Sequence, residues 1–160
     1  MATMPSRRDG LAQVLPRILP QLDRLYLFFD KYDAVPEEYR GEPKIVPLHP
    51  STSGHFASCG KFLAIAEFGA PCLFFGFDDD ILYPSGYVDV LTSALRRHHF
   101  HAAVGFHAGV FRPPHRSYRR DRVILHFARP INIDCSVDEL GTGTIAFATP
   151  SLHIGSARLA

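Results

Sequence analysis

The feature that constrains the fold most is an apolar run that ends abruptly in three carboxylates. Residues 72–77 are Cys, Leu, Phe, Phe, Gly and Phe, and Asp78, Asp79 and Asp80 follow directly. A run this apolar and aromatic is typical of a strand buried on both faces of a sheet. The three carboxylates are therefore expected at the rim of that sheet, where the strand ends.

Other patterns predict strands that alternate with helices. Residues 25–29 are apolar and aromatic and end at Asp30, and a second such run covers residues 44–48. Apolar side chains in residues 11–22 recur at helical spacing, and Pro84 is expected in the first turn of a later helix. This alternation predicts the α/β class, with a mainly parallel sheet flanked by helices on both faces. Ligands of such folds bind at the carboxyl ends of the strands.

The composition excludes several classes of protein. The 160 residues, 46% hydrophobic and 21% charged, are typical of one soluble globular domain. A net charge of +1 gives no broad positive field for nucleic acid, and no apolar run approaches the roughly 18 residues of a membrane-spanning helix. Three cysteines without paired spacing and an N-terminus without a secretory signal predict a cytoplasmic protein. We expect no nucleic-acid partner and no integral membrane segment.

The aspartate cluster has two interpretations. Clustered carboxylates need a nearby cation or raised pKa values, and oxygen ligands suit the hard ions Mg²⁺ and Mn²⁺, which often bridge to phosphate oxygens. In the other interpretation, the cluster is a solvated turn whose charge is favoured by the N-terminal end of the following helix. Composition alone leaves the two open.

The aspartate segment also resembles a known family. Residues 77–84, which read Phe, Asp, Asp, Asp, Ile, Leu, Tyr and Pro, are followed by Tyr87 and Val88. This segment resembles the Asp-x-Asp region of family 2-type glycosyltransferases of the GT-A fold, in particular a bacterial branch with the pattern D-D-D-I-x-Y-P-x-x-Y. Shorter stretches match the same branch in order along the chain: residues 2–7, 19–23, 29–36, 60–62, 103–107 and 140–144. The likeness extends from residue 2 to about residue 150.

The resemblance implies a metal-dependent glycosyltransferase with a GT-A-like domain at residues 1–150 and a tail at residues 151–160. It would transfer a sugar from a nucleotide-diphospho-sugar donor to a glycan or lipid-linked acceptor in polysaccharide synthesis. A Mn²⁺ or Mg²⁺ ion, held by Asp78 and Asp80, would stabilise the charge that grows on the diphosphate as the sugar leaves. The implied nucleotide-sugar contacts are Thr3, Pro5, Ser6, Arg7, Asp30, Lys61, Asp78 and Asp79.

Each of these side chains also has a purely structural interpretation. Ser6 could cap the first helix, Arg7 could be solvated, and Asp30 could end a strand through turn chemistry. Lys61 begins an apolar helical stretch, where a surface lysine is ordinary. The adjacent Gly60 would nevertheless let a phosphate approach the backbone.

Three further motifs have weaker meanings. Thr142 and Thr144 lie in a Gly-Thr-Gly-Thr turn that, by resemblance, borders the acceptor side of the pocket, although a glycine turn before a strand also explains it. Three histidines within residues 98–101 are expected to cap the end of a helix, exposed to solvent, rather than to bind a metal. Five arginines within residues 112–122 form either a surface loop or a loop that attracts an anionic substrate.

The resemblance does not supply a catalytic base. In the resembled family a carboxylate downstream of the Gly-Thr-Gly-Thr turn accepts the acceptor's proton, whereas residues 151–160 contain no Asp or Glu. We therefore expect the C-terminal part of the fold to be incomplete, and the catalytic residue is unknown. Two alternatives stay open: a truncated, non-catalytic nucleotide-sugar-binding remnant and, less favoured, a Mg²⁺-dependent phosphohydrolase that uses the aspartates.

Overall fold

The computed structural model describes residues 1–54, 56–129, 131 and 133–151. The strands are β1 (Ala2–Thr3), β2 (Leu25–Phe29), β3 (Ile45–Leu48), β4 (Leu73–Phe75), β5 (Val104–Gly105), β6 (Ala108–Phe111), β7 (Arg122–Leu125), β8 (Glu139–Leu140) and β9 (Ile145–Ala148). The helices are α1 (Arg8–Ile18), α2 (Glu37–Arg40), α3 (Pro50–Ser53), α4 (Leu63–Phe68) and α5 (Tyr87–Arg97). Short 3₁₀ helices occupy Pro5–Arg7, Leu19–Gln21, Ala57–Phe62 and Thr149–Ser151. The expected tail lies outside the described residues from residue 152 onward.

The first three strands form the expected parallel sheet in the order β1-β2-β3. Thr3 pairs with Phe29, and Leu25 pairs with Ile45. Strand β2 is almost wholly buried, with Leu27 at 0% exposure, as its continuous apolar sequence predicted. Because the strands are parallel, their carboxyl ends meet at one edge of the sheet.

The remaining strands correct the expectation of a mainly parallel sheet. The α/β class is confirmed, but the other two sheets of the described chain, β4-β9-β5 and β7-β6-β8, are antiparallel. Strand β9 returns from the far end of the chain and lies between β4 and β5, opposite in direction to both. Strands β6 and β7 are consecutive and have no crossover helix between them, so they pair as an antiparallel hairpin.

Helix α1 packs on the core through the apolar side chains whose helical spacing predicted it. Leu11, Val14, Leu15 and Ile18 are buried. Helix α1 contains Pro16 and ends at Ile18, and the chain continues in the 3₁₀ helix Leu19–Gln21, which contains Pro20.

Helix α5 begins later than the sequence suggested. The expectation that Pro84 lies in its first turn is wrong: α5 begins at Tyr87, after Gly86 at φ 78°. The Tyr87 amide donates to the Pro84 carbonyl at 3.3 Å, so Pro84 opens a tight turn whose third residue needs the positive φ that glycine adopts readily. Leu91 and Leu95 then face the core.

Candidate functional site

A pocket of about 100 Å³ lies where β1 and β2 end and where the chain leaves β4. Four of its lining residues are Ala2, Met4, Ala57 and Ser58. The other six are side chains that the family resemblance implies as nucleotide-sugar contacts: Thr3, Arg7, Asp30, Lys61, Asp78 and Asp79. Residues that are far apart in the sequence thus share one pocket.

The parallel pairing of β1 and β2 places the first two of these side chains. The Asp30 amide donates to the Thr3 carbonyl at 2.8 Å, which continues the ladder one step beyond β2. Both side chains are buried, with 3% exposure for Thr3 and 8% for Asp30. Asp30 lies in the turn directly after β2, and its side chain is buried in the pocket lining.

Lys61 enters the pocket from the 3₁₀ helix Ala57–Phe62 and is only 3% exposed, so its interpretation as a surface lysine is wrong. Its ammonium group donates to Asp78 Oδ1 and, at 3.2 Å, to Thr142 Oγ1. The preceding Gly60 permits this approach, because a Cβ atom there would lie 2.3 Å from the Phe28 ring. A glycine next to a lysine is the sequence signal for this close packing.

Arg7 neutralises the other two aspartates. Its Nη1 donates to Asp79 Oδ1 at 2.9 Å and to Asp80 Oδ2 at 2.8 Å. The hydrogen bond to Asp79, together with the charges of both carboxylates, raises the pKa of Arg7. The side chain of Asp79 is 2% exposed and that of Asp80 is 57% exposed, so Asp79 lies in the interior and Asp80 lies at the surface. The cation that the clustered carboxylates require is supplied in part by Arg7 and Lys61.

Tyr83 fixes the backbone of the aspartate segment, a role that the sequence reasoning missed. Its buried hydroxyl accepts a hydrogen bond from the Asp78 amide at 2.8 Å and donates one to the Gly143 carbonyl at 2.6 Å. Burial raises the pKa of Tyr83 far above its ordinary value, which keeps this donor protonated. Gly143 also needs to be small, because a Cβ atom there would lie 2.2 Å from Asp78 Oδ2. The sequence features that correspond to this contact are a tyrosine five residues after Asp78 and a glycine in the later turn.

Two buried oxygens of the pocket lining, Thr3 Oγ1 and Asp79 Oδ2, lack a hydrogen-bond partner among the described residues. Asp79 Oδ2 is buried and has no hydrogen-bond donor among the described residues, whereas Oδ1 of the same carboxylate is bound by Arg7. A buried carboxylate oxygen without a donor costs free energy, so such an atom in a pocket wall indicates that a ligand or a water molecule donates to it.

The carboxylates fit a metal ion only if a ligand helps to hold it. No group of three or more His, Cys, Asp or Glu side chains in the described part of the chain is arranged to hold a metal ion. Lys61 and Arg7 bind one oxygen each of Asp78 and Asp80, so each carboxylate has a second oxygen left. Mg²⁺ is commonly held by one or two carboxylates together with phosphate oxygens and water, and this donor set suits such a shared ion.

The other predicted site residues lie outside the pocket lining. Pro5 and Ser6 are exposed, and Ser6 does not cap α1, whose N-terminus has no side-chain cap among the residues that the structure describes. Thr142 is exposed and reaches the site through Lys61. Thr144 is 2% exposed, and its hydroxyl accepts from the His107 amide at 3.0 Å. Thr144 therefore holds a turn together.

The histidine and arginine motifs also lie apart from the pocket lining. His98 caps the end of α5, with its amide donating to the Ala94 carbonyl, and its ring lies 3.3 Å from an oxygen of Asp134. In the basic stretch, Arg122 pairs with Glu139 at 2.6 Å.

Comparison with known proteins found no family model and no curated protein that matches the chain. None of the helices in the described ranges combines the length and apolar character needed to cross a membrane.

Proposed function

We propose that this chain binds a nucleotide-diphospho-sugar in the pocket at the ends of β1, β2 and β4 and transfers its sugar to a glycan or lipid-linked acceptor. The proposal includes a GT-A-like fold and a divalent metal ion. One observation carries it: six side chains that the family resemblance implies for the donor site, drawn from four separate segments, line one pocket. The aspartate segment that carries the resemblance forms one wall of that pocket.

The charges of the pocket favour a metal-bridged diphosphate. Asp30, Asp78 and Asp79 bring three carboxylates to the lining, against the two cations Arg7 and Lys61. A diphosphate alone would be repelled by this excess of negative charge, whereas a divalent ion held by Asp78 and Asp80 would offset that excess and favour the phosphates. We therefore expect donor binding to depend on Mg²⁺ or Mn²⁺.

The inner wall of the pocket suits the ribose. The pocket encloses about 100 Å³, less than the roughly 150 Å³ apolar cavity that holds benzene, so it would hold a small part of the donor and leave the rest outside. The buried Asp30 carboxylate and the unpartnered Asp79 Oδ2 are acceptors for ribose hydroxyl groups. In this arrangement the base and the diphosphate extend from the ribose toward the open side of the pocket.

The chain's own residues position the reacting group. Asp78 and Asp80 would hold the metal ion, which would supply Lewis-acid stabilisation of the leaving diphosphate. Lys61, held by Asp78 and Thr142, keeps a fixed positive charge beside the first of these carboxylates. Arg7 orients Asp79 and Asp80 together, so that the segment does not need to reorganise when the donor binds.

Calorimetric titration with UDP, GDP, CMP and dTDP, each with and without Mn²⁺, tests the donor site. We expect one nucleotide to bind with metal and at least tenfold more weakly without it. Asp80→Asn should lose at least tenfold in affinity. Asp89→Asn is the matched control, because Asp89 is an exposed carboxylate on α5 outside the pocket, and it should bind like the parent. The donor site is rejected if no nucleotide binds to the folded chain, or if both variants lose affinity equally.

A second assay separates transfer from binding alone. With the preferred nucleotide known, the chain is incubated with its sugar conjugates and candidate glycan acceptors, and free nucleotide is measured. Acceptor-dependent release supports a transferase, whereas binding without release supports a non-catalytic nucleotide-sugar-binding protein. Release of inorganic phosphate from p-nitrophenyl phosphate, lost in Asp80→Asn, would instead support the phosphohydrolase.

A further inference from the structure

The sheet β7-β6-β8 lies outside the apolar core. None of its residues belongs to the buried apolar cluster that the described part of the chain forms. Nine large hydrophobic side chains are exposed among the described residues, and six of the nine fall within residues 106–133, which include the hairpin β6–β7. Single exposed apolar side chains are ordinary, but a concentration of them in one short part of the chain indicates a contact surface.

One face of the hairpin carries an apolar strip. Ile124 is 47% exposed, and the residue opposite it on β6 is Gly109, which has no side chain to cover it. Because alternate residues of a strand share a face, Arg122 lies on the same face as Ile124. The centroid of the exposed Tyr118 ring lies 4.4 Å from Cζ of Arg122 and 5.5 Å from the ring centroid of Phe111. Tyr118, Phe111 and Ile124 therefore form one strip.

The loop that connects the two strands, residues 112–121, supplies positive charge beside this strip. It contains four exposed arginines, none of which forms an ion pair with a described residue: Arg112, Arg116, Arg119 and Arg120. The loop's one carboxylate, Asp121, binds the backbone, since its Oδ2 accepts from the amides of Arg116 at 2.6 Å and Ser117 at 2.9 Å. These bonds fold the loop, so the arginines extend from an ordered turn.

Unpaired arginines beside exposed apolar side chains fit the surface of a bilayer. The guanidinium group binds phosphate oxygens through its planar set of donors. An amphipathic surface element buries its apolar side about 5–10 Å deep in the membrane interface while its cations contact the anionic headgroups. A membrane that contains anionic phospholipids therefore satisfies both features of the hairpin at once. Because the net charge of the whole chain is only +1, the local charge of the loop decides which face meets the membrane.

We propose that the β6–β7 hairpin is a peripheral membrane-binding surface for anionic phospholipids. The loop arginines contact headgroup phosphates, and Tyr118 and Ile124 enter the interface beneath them. Glu139, which borders the strip on β8, is already paired, because its carboxylate accepts from Arg122 at 2.6 Å and from the Tyr118 hydroxyl at 3.1 Å. Membrane binding does not depend on the nucleotide pocket, so it stands or falls apart from the proposed function.

Vesicle binding of the full chain tests the surface. Co-sedimentation compares phosphatidylcholine vesicles with vesicles that also contain phosphatidylglycerol, at about 0.05 M and about 0.5 M NaCl. We expect at least tenfold tighter binding to the anionic vesicles at low salt and the loss of most of that difference at high salt, because salt screens the attraction. Absence of binding to the anionic vesicles overturns the proposal and would indicate an acidic protein as the partner instead.

Charge variants test whether the loop is responsible. Arg119→Gln/Arg120→Gln should weaken binding to the anionic vesicles at least tenfold. Arg17→Gln/Arg96→Gln is the matched control, because it removes the same charge from exposed positions on α1 and α5, and it should bind within about twofold of the parent. Equal losses in the two variants would mean that net charge rather than the hairpin determines binding, and would overturn the proposal.

Insertion of the strip is measured with tryptophan, which the chain lacks. Ile124→Trp places the reporter on the strip, and Val90→Trp places it at an exposed position of α5 as the matched control. With anionic vesicles, the fluorescence of Ile124→Trp should shift to shorter wavelength and be quenched by brominated acyl chains, and that of Val90→Trp should do neither. Equal quenching of the two variants, or binding without quenching of Ile124→Trp, would overturn the assignment of this face.

Discussion

Tyr83 joins two parts of the candidate site through a single hydroxyl group. Replacing Tyr83 with Phe removes its bonds to the Asp78 amide and the Gly143 carbonyl and leaves both groups without that partner. We expect Tyr83→Phe to lower the free energy of unfolding by about 1–3 kcal/mol. Urea unfolding at pH 7 measures the change.

Tyr87→Phe is the matched control for that substitution. The Tyr87 side chain is also buried, but its hydroxyl has no hydrogen-bond partner among the described residues. Its removal should change the free energy of unfolding by less than about 0.5 kcal/mol or increase it, because a buried unpartnered hydroxyl is unfavourable. Equal losses in the two variants would show that ring packing, rather than the Tyr83 hydrogen bonds, determines the effect.

The Lys61–Asp78 pair gives a second prediction at this scale. Lys61 is 3% exposed and Asp78 is 35% exposed, so the pair is only partly screened by water. Lys61→Met should cost about 1–3 kcal/mol, because it leaves the Asp78 carboxylate unpaired. In the double variant Lys61→Met/Asp78→Asn that carboxylate is gone, and part of the loss should be recovered. A double-mutant cycle from urea unfolding measures the coupling, which we expect to be at least about 1 kcal/mol. Additive losses would mean that the two charges do not stabilise one another.

Some residues of the site could be predicted from the sequence, and others could not. Asp30 and the aspartate segment were found because acidic residues directly after apolar strands stand out in a sequence. The burial of Lys61 was not found, because it depends on Gly60 lying against Phe28, a contact between distant segments. The partner of Asp79 was equally hidden, since Arg7 is 72 positions away in the sequence.

At the scale of elements, the end of β4 and the turn at residues 141–144 are packed backbone to backbone. A Cβ atom at Gly76 would lie 2.2 Å from the Thr142 carbonyl oxygen, which cannot move without moving the turn. Gly76→Ala should therefore lower the free energy of unfolding by about 1–3 kcal/mol, as overpacked sites do, and weaken nucleotide binding.

Gly41→Ala is the control, because no described residue lies within 4 Å of a Cβ atom there and its φ of −93° suits any residue. It should change stability by no more than about 0.5 kcal/mol. Thermal unfolding and nucleotide titration of both variants measure the difference. A Gly76→Ala chain as stable as Gly41→Ala would show that the turn is loosely attached to β4.

Elements with a strong local pattern were predictable, and elements that depend on distant partners were not. Strand β2 and helix α1 follow directly from a continuous apolar run and from helical spacing, respectively. The antiparallel return of β9 beside β4 has no local signal, because strand direction is decided by the connection and not by the composition of the strand. The start of α5 was placed too early because a proline can open a tight turn as readily as a helix.

In the whole molecule, the order and direction of the strands bring separate segments together at the site. Its walls come from the loop after β1, the end of β2, a 3₁₀ helix and the aspartate segment, and the turn before β9 closes over Asp78. The rule that parallel strands end at one edge predicted that some of these segments would meet. It could not predict that Arg7 and Lys61 would neutralise much of the carboxylate charge, since that depends on side chains from outside the strands.

Two buried tyrosines make the free energy of unfolding depend on pH in the alkaline range. Burial raises the pKa of both Tyr83 and Tyr87 above the ordinary value of about 10. Above pH 10 the unfolded chain therefore loses protons that the folded chain keeps, so the free energy of unfolding falls as pH rises. Each such tyrosine contributes a slope of about −1.4 kcal/mol per pH unit once the unfolded side chain is ionised.

Tyr87→Phe removes one of the two titrating hydroxyl groups. That hydroxyl makes no hydrogen bond to the described residues, so no hydrogen bond to them is lost. Between pH 10.5 and 11.5 the free energy of unfolding of this variant should therefore fall less steeply than that of the parent, by about 1.4 kcal/mol per pH unit. From pH 7 to 9 the two chains should show the same pH dependence, because tyrosine is protonated in both states there. Urea unfolding across both ranges measures the slopes. Parallel curves above pH 10 would mean that Tyr87 ionises in the folded chain and that water reaches its hydroxyl. Tyr87→Phe would then no longer be a suitable matched control for Tyr83→Phe.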